Sequence, residues 1–350
     1  MKIAPLYRAL ASESNLFSPV LIHTGQHYDP EMSDRFLEDF SVPKPAISLG
    51  IGSGTHAEQT GNVMIAYEKI CMEQRPDLLI VVGDVNSTIA CTLAAKKLLI
   101  PVAHLEAGLR SGDRTMPEEL NRVLTDSIAD KLWTPSPDGD ENLLKEGIPA
   151  TAIKRVGNIM LDSFELVRKK IVSTKLFNKQ GLDTGTFGVV TLHRPFNVDE
   201  EEGLAKIVEL LIDLTKKDPI VFPVHPRTKK RLEETGLWQK LSAVEEIYLL
   251  PPLGYIDFMS YVTAARYILT DSGGLQEETT YLGIPCFTMR PSTERPITIT
   301  QGTNRLVTID NVRDMLSNTL SGKPASLPKP EYWDGQTARR IVEDIKATWL

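Results

Sequence analysis

The chain has 350 residues, long for one hydrophobic core, and this length calls for two domains of roughly 150–200 residues each. Hydrophobic residues make up 41% of it and charged residues 24%, a balance that excludes a disordered chain and suits ordinary globular cores. A net charge of −7 leaves no basic field for nucleic acid or an anionic membrane surface, so any phosphate has to be caught by a local site.

The N-terminal stretch MKIAPLYRALASESNLF lacks the apolar core and cleavage site of a signal peptide, and no apolar run approaches the ~18 residues of a membrane span. The expectation is a cytoplasmic protein. Strands are predicted near Val20–Thr24, Leu78–Val82, Pro101–His104 and Lys131–Thr134, with helices including Ala57–Cys71, Ser87–Lys97 and Glu118–Ile128 between them. Pro117 suits the first turn of the last of these helices. A polar, glycine-bearing stretch, TKLFNKQGLDTGTFG, then separates this series from a second one. The second has strands near Val189–Leu192, Ile220–Val224, Ile247–Leu249, Tyr267–Thr270 and Pro285–Thr288. These strands are continuously apolar, as strands covered on both faces of a parallel sheet are. The fold class is α/β, with an N-terminal domain over residues 1–170 and a C-terminal one over 185–332. The last helix, about Gly335 to Trp349, is expected to pack back onto the first domain and complete it.

In such sheets ligands bind at the carboxyl ends of the strands. There the chain places Asp84 after LLIVVG, Glu106 after IPVAHL, His193 after GVVTL, His225 after IVFPV, and Asp271-Ser272 after YILT. Any one of these could equally be a cap or a turn former. Together they fall on both domains, as expected if two sheets face each other across a cleft. The run DSGGLQEET joins a strand end to a helix start through Ser272 and Gly273, so free amides and the positive helix end point at one spot, which makes either a phosphate cradle or a plain capped helix. Glu277 and Glu278 beside it suit sugar hydroxyls, ribose being one possibility. Arg290 and Arg295 in RPSTERP could each match two phosphate oxygens, or stand solvated on the surface, the latter more so for Arg290.

The run HLEAGLRSGDRTMPEELNR gathers Glu106, Arg110 and Glu118, either as a self-neutralising surface cluster or, in a cleft beside His193, as acid/base groups. Three other features point to less. GIGSGTHAEQTG offers Gly50 and Gly52 to a dinucleotide pattern but Thr at 55, so it reads as a loop leading into a helix. His23 and His27 have no third ligand, and no metal site is expected. Cys71, Cys91 and Cys286 follow no metal or redox pattern and are expected as buried small hydrophobes.

The ordered set GDVNST, HLEAGLRSGD, PEELNRVLTD, VGNIMLDS, VTLHRPFNVD, PVHPR and TDSGGLQEETTYLGIP with ERP resembles the non-hydrolysing UDP-N-acetylglucosamine 2-epimerases from about residue 21 to residue 310. The resemblance implies two Rossmann-like doubly wound domains in the GT-B arrangement, a homodimer, and interconversion of UDP-GlcNAc and UDP-ManNAc with no metal or nicotinamide cofactor. It implies elimination of UDP to a bound 2-acetamidoglucal and readdition. It places Asp84, Glu106, Glu118 and His193 among catalytic residues, with Asp84 and Glu118 as proton handlers. Lys2, Arg110, His225, Ser272, Gly273, Glu278 and Arg295 fall on substrate-side positions, Ser272 and Gly273 on the phosphate turn and Glu278 on the ribose contact. It also implies a first strand, with an arginine reaching the phosphates, ahead of what is here Met1, and the expectation is a chain that begins short. GQHYDP stands where bacterial members often carry a His-Arg-Glu run associated with a second, regulatory UDP-GlcNAc. A glycosyltransferase of the same architecture, a hydrolysing epimerase and a non-catalytic nucleotide-sugar binder are the alternatives.

Overall fold

The computed structural model of the chain describes residues 1–25, 37–321 and 329–350; His27 and the part of GQHYDP from Gln26 on lie outside them. The chain divides into two compact units, Met1–Leu166 with Glu331–Leu350, and Val167–Pro330. The division falls inside the helix Ile159–Thr174. Among the described residues no helix is long and apolar enough to cross a membrane.

The first unit carries β1 (Ile22–His23), β2 (Ile47–Ser48), β3 (Leu79–Val82), β4 (Val102–Leu105), β5 (Lys131–Thr134) and β6 (Ile153–Arg155). The last four form a parallel sheet in the order β3-β4-β5-β6, and β1 and β2 pair in a separate two-stranded parallel sheet. Alternation along β4 explains how the sheet is covered. Ala103 and Leu105 face one way, into a cluster with Trp133, Leu6 and Leu10 of the helix Ile3–Ala11, and Ile341 and Ile345 of the helix Thr337–Trp349. Val102 faces the other way, against Val63 and Tyr67 of the helix His56–Glu73 and Ala90 and Ala94 of the helix Asn86–Lys97. The glycine-bearing run before His56 ends in a capping box: Thr55 Oγ1 accepts from the Glu58 amide at 3.3 Å, and Glu58 Oε2 accepts from the Thr55 amide at 2.9 Å. That reciprocal pair is why the run opens a helix.

The second unit carries β7 (Gly188–Thr191), β8 (Ile220–Pro223), β9 (Ile247–Leu250), β10 (Tyr267–Thr270), β11 (Cys286–Thr288) and β12 (Asn304–Leu306). All are parallel, in the order β12-β11-β10-β7-β8-β9. Read from β9, this is the doubly wound order 3-2-1-4-5-6, whose direction reverses between β7 and β10. Gly188 opens β7 because a Cβ there would lie 2.4 Å from the fully buried Tyr267 ring on β10. The three cysteines are free and buried, and burial pushes the thiols of Cys91 and Cys286 up to about 12 and about 11, which leaves them unreactive.

The strands predicted from sequence lie within a residue or two of β3, β4, β5 and β7 to β11, while β1 is shorter than Val20–Thr24. β2, β6 and β12, two or three residues each, go unpredicted because Ile47–Ser48, Ile153–Arg155 and Asn304–Leu306 mix polar with apolar residues and form no continuous apolar run. The C-terminal helix Thr337–Trp349 is held to the first unit by polar as well as apolar contacts. Asp162 accepts from the amides of Thr337 at 3.1 Å and Ala338 at 2.8 Å, standing in for a helix cap, and Trp133 Nε1 donates to Asp344 at 2.7 Å. Asp162→Ala leaves those two buried amides without an acceptor and is expected to lower stability by about 1–3 kcal/mol. Urea unfolding measures this, and hydrogen exchange should show the loss of protection concentrated in residues 337–349.

Candidate active site: polar clusters at the strand ends

Register sets the site of the second unit before any side chain is considered. β7 pairs with β10 through Thr191↔Thr270, and with β8 through Val189↔Val221. Carried a few residues onward, the same register brings the His193 position level with Ser272 on one side and with His225 on the other. His193 and Ser272 lie just past the point where the strand order reverses, where open α/β sheets bind ligands, and His225 lies one strand further along.

Asp271 organises them. It is fully buried and accepts from the amides of His193 at 2.9 Å and Arg194 at 2.8 Å and from Asn197 Nδ2 at 3.1 Å, while its Oδ1 lies 2.9 Å from His193 Nδ1. Burial alone would raise its carboxyl; His193, the Arg194 amide and Asn197 outweigh that and hold it below the usual carboxylate range. With Nδ1 turned to Asp271, Nε2 is the ring nitrogen left for a ligand. The rings of His193 and His225 lie 5.4 Å apart at 36°. His225 caps the helix Pro226–Glu234, its Nδ1 accepting from the Arg227 amide at 3.2 Å, and its pKa is lowered by burial and then by His193.

Ser272 precedes the helix Gly273–Leu282, whose first-turn amides have no partner within the helix. On that helix Glu277 pairs with Arg295 Nε at 3.0 Å, and Glu278 accepts from the Tyr255 hydroxyl at 2.6 Å. Burial drives the Glu278 carboxyl up to about 7 against the lowering effect of Tyr255. The loop bearing Arg290 and Arg295 is tied to the same helix through Gln276, whose Oε1 accepts from Thr293 Oγ1 at 2.7 Å and Asn304 Nδ2 at 2.9 Å and whose Nε2 donates to the Ser272 carbonyl at 3.2 Å. Asn304 in turn accepts from Thr288 Oγ1 at 2.6 Å and donates to Thr298 Oγ1 at 3.1 Å, so both of its N–H donors and its carbonyl oxygen are engaged.

In the first unit the acids collect after β3 and β4, which are neighbours through Val82↔Leu105. Glu106 adopts φ +74°, a left-handed conformation that costs a non-glycine residue energy and turns its side chain off the strand line, where it forms an ion pair with Lys2. Asp84 pairs with Arg122, and its carbonyl accepts from Asn121 Nδ2 at 3.0 Å. Beneath them the fully buried His104 bridges Asp126 Oδ1 at 2.6 Å and the Gly83 carbonyl at 2.8 Å. Asp126 also accepts from the Gly108 amide at 3.1 Å and pairs with Arg110 at 2.8 Å. Gly108 is required there, since its φ is +80° and a Cβ would lie 2.4 Å from the Gly139 carbonyl oxygen.

Two predicted residues of this unit, Arg110 and Glu118, differ in their surroundings. Arg110 is committed within the protein, to Asp126, to the Leu109 carbonyl at 2.7 Å and to both oxygens of Glu146 at 2.8 and 2.7 Å. Burial works against its charge, but Glu146 and Asp126 raise its pKa above the ordinary value. Glu118 is exposed in the first turn of the helix Pro117–Ile128, whereas its neighbour Glu119 is buried and spent on the amides of Ser111 at 2.9 Å and Gly112 at 3.0 Å and on Arg122. Asp126, Arg122, Tyr255, Gln276, Asn304 and Glu294 are not among the residues expected from the sequence. A signal existed for the first two: Glu119, Arg122 and Asp126 recur at helical spacing on one face, a buried charged stripe.

The family model described as UDP-N-acetylglucosamine 2-epimerase matches residues 9–346. The chain is similar to the UDP-N-acetylglucosamine 2-epimerase of Methanocaldococcus jannaschii, 42% identical over 98% of this chain and 94% of that protein. It is similar to the UDP-2,3-diacetamido-2,3-dideoxy-D-glucuronate 2-epimerase of Pseudomonas aeruginosa, 38% identical over 98% of this chain and 95% of that one. Among solved structures it is similar to the crystal structure of Methanocaldococcus jannaschii UDP-GlcNAc 2-epimerase in complex with UDP-GlcNAc and UDP, with a TM-score of 0.85 and 40% identity, covering 99% of this chain and 96% of that one. With nearly its whole length matched, the chain belongs to the UDP-N-acetylglucosamine 2-epimerase family.

Proposed function

We propose that this chain interconverts UDP-GlcNAc and UDP-ManNAc by inverting C2 of the sugar. The observation that carries the reading is the placement of His193, Ser272 and Gly273 at the reversal point of the second unit's sheet, with Arg295 beside them. A diphosphate fits that set: bare amides at a helix start, a guanidinium, and an imidazole whose orientation Asp271 fixes. Glu278, held by Tyr255, suits the ribose hydroxyls.

A C2 proton is too weakly acidic to leave alone, so its removal is coupled to departure of the diphosphate. A carboxylate takes the proton, the C2–H electrons form a C1=C2 double bond, and the C1–O bond breaks to release UDP as an anion. Readdition of UDP at C1, with a proton delivered to the other face of C2, completes the change. Asp84 and Glu118 serve as the two proton handlers, and Glu106 steadies positive charge at the sugar ring. His193 and Arg295 stabilise the departing diphosphate, with Ser272 and Gly273 cradling it. Lys2 holds Glu106, His225 stacks beside His193, and Arg110 acts through Asp126 as a clamp on the turn after β4. The reading includes a cytoplasmic homodimer.

The direct test is incubation with UDP-GlcNAc in heavy water, which should yield UDP-ManNAc and deuterium at C2 in both sugars. Absence of both products sinks the proposal. Free ManNAc in stoichiometric yield would select a hydrolysing epimerase. The 38% identical relative motivates a second reading on the sugar alone. Exchange with UDP-2,3-diacetamido-2,3-dideoxy-D-glucuronate and none with UDP-GlcNAc would select it.

Two further outcomes are expected. Asp84→Asn removes a proton handler but keeps its size, so kcat should fall about 10²–10⁴-fold while UDP still binds. Glu278 bears on pH. With its carboxyl at about 7, the ionised form that accepts two ribose hydroxyls fades as pH falls below that value. UDP affinity should therefore drop on acidification through pH 7, by up to about tenfold per pH unit. Calorimetry of Glu278→Gln beside the parent protein separates this from titration of UDP itself, because the variant should lose the added slope.

A further inference from the structure

The residues that face the start of the helix Gly273–Leu282 are not all cationic. A Cβ built on Gly273 would lie 2.7 Å from Glu294 Oε1, 3.1 Å from Arg295 Nη1 and 3.6 Å from Arg290 Nη1. One carboxylate and two guanidiniums therefore converge on the Cα of the residue that opens the helix. Glu294 bridges the two arginines, Oε1 at 2.6 Å from Arg295 Nη1 and Oε2 at 3.0 Å from Arg290 Nη2. All three side chains are largely buried, between 10% and 13% exposed. Arg290 Nη1 is buried with no hydrogen-bond partner. The hydrogen bonds that tie Thr293 to Gln276, and the Arg295 amide to Thr293 Oγ1 at 3.1 Å, fix the backbone on both sides of Glu294.

We propose that Glu294 is an internal counter-anion: it holds Arg290 and Arg295 at the mouth of the cradle in the absence of nucleotide, and a bound diphosphate takes these guanidiniums from it. A carboxylate bridging two guanidiniums presents two anionic oxygens, as one phosphoryl group does, but carries a single charge. A diphosphate brings more charge and more acceptor oxygens, including one for the unsatisfied Arg290 Nη1. It wins the arginines and leaves Glu294 close to a like charge. Burial alone would raise the Glu294 carboxyl, yet Arg295 and Arg290 hold it down at about 2, so it stays ionised whenever the arginines surround it. Glu294 is thus a positioning residue that acts through the arginines and sets how tightly the diphosphate is held. From sequence alone Arg290 is the more readily given to solvent; the carboxylate it shares with Arg295 gives the two arginines one task.

The inference rests on the reading that this cradle takes the diphosphate of a nucleotide sugar, and the experiment separates the two. Calorimetry on the full chain compares UDP, inorganic pyrophosphate and uridine for the parent protein, Glu294→Gln and Glu294→Asp. Glu294→Gln, which removes the charge and keeps the shape, should bind UDP and pyrophosphate about tenfold more tightly. Its uridine binding should be unchanged. Glu294→Asp, which keeps the charge, should stay near the parent. In turnover, Glu294→Gln should lower KM and lower kcat with it, as product release slows. Should Glu294→Gln fail to fold, Glu294→Ser removes the same charge with less bulk and is expected to tighten pyrophosphate equally. Pyrophosphate affinity that is unchanged or weaker in the uncharged variants overturns the proposal. A parent protein that binds pyrophosphate but shows no preference for UDP counts instead against the nucleotide-sugar reading, and the comparison of variants still decides the role of Glu294.

Discussion

A buried carboxylate at the sheet's carboxyl edge is the constraint on which each unit's functional surface depends. Asp271 in the second unit and Asp126 in the first are both essentially inaccessible to solvent. Taking such an anion out of water costs several kcal/mol unless its oxygens are filled by donors and matched by charge. Each one is filled in the same manner. Asp271 gathers two successive amides, an asparagine and His193; Asp126 gathers His104, the Gly108 amide and Arg110. Removing either anion would free a whole turn at once, because the groups it collects lie together on one segment, residues 193–197 after β7 for Asp271 and residues 104–110, in and after β4, for Asp126. The loops that present Asp84, Glu106 and His193 are therefore fixed from below by groups that need not touch a ligand themselves.

This arrangement explains which parts of the molecule could be read from the amino-acid sequence. Parallel strands buried on both faces are continuously apolar, so LLIVV, IVFPV and YILT announce themselves, and the polar residue that ends each run is conspicuous. His193, His225 and Ser272 were legible for that reason. Asp271 was visible as a strand-end residue, but its service to His193 depends on the β7–β10 register, which no local pattern encodes. Gln276 and Asn304 are ordinary amides in sequence, twenty-eight residues apart, and only their 2.9 Å hydrogen bond makes them a pair. Glu118 and Glu119 are adjacent and chemically alike. The helical rotation between them exposes one and buries the other, and a one-residue difference in phase is finer than a sequence pattern resolves.

The abundance of acid around a site read as binding an anion has a physical rationale. Within about one helical turn of Gly273 the second unit sets Glu277 and Glu294 against Arg290 and Arg295, two negative charges for two positive ones. A cradle of the same amides and arginines without those acids would carry uncompensated buried cations, which is costly to fold and would grip any diphosphate strongly. Strong grip is not what the chemistry needs. Binding the intact nucleotide sugar and the departing diphosphate equally well lowers KM without lowering the barrier between them; only interactions that strengthen as negative charge builds on the leaving group do that. On the proposed role of Glu294, guanidiniums already engaged by carboxylates would supply that difference. A diphosphate ester, with part of its charge masked by the sugar linkage, would then compete less well for them than free UDP. In the proposed reaction, the charge that grows as the C1–O bond breaks would draw the arginines away from the acids, and their stabilising effect would be delivered late along the reaction rather than on arrival.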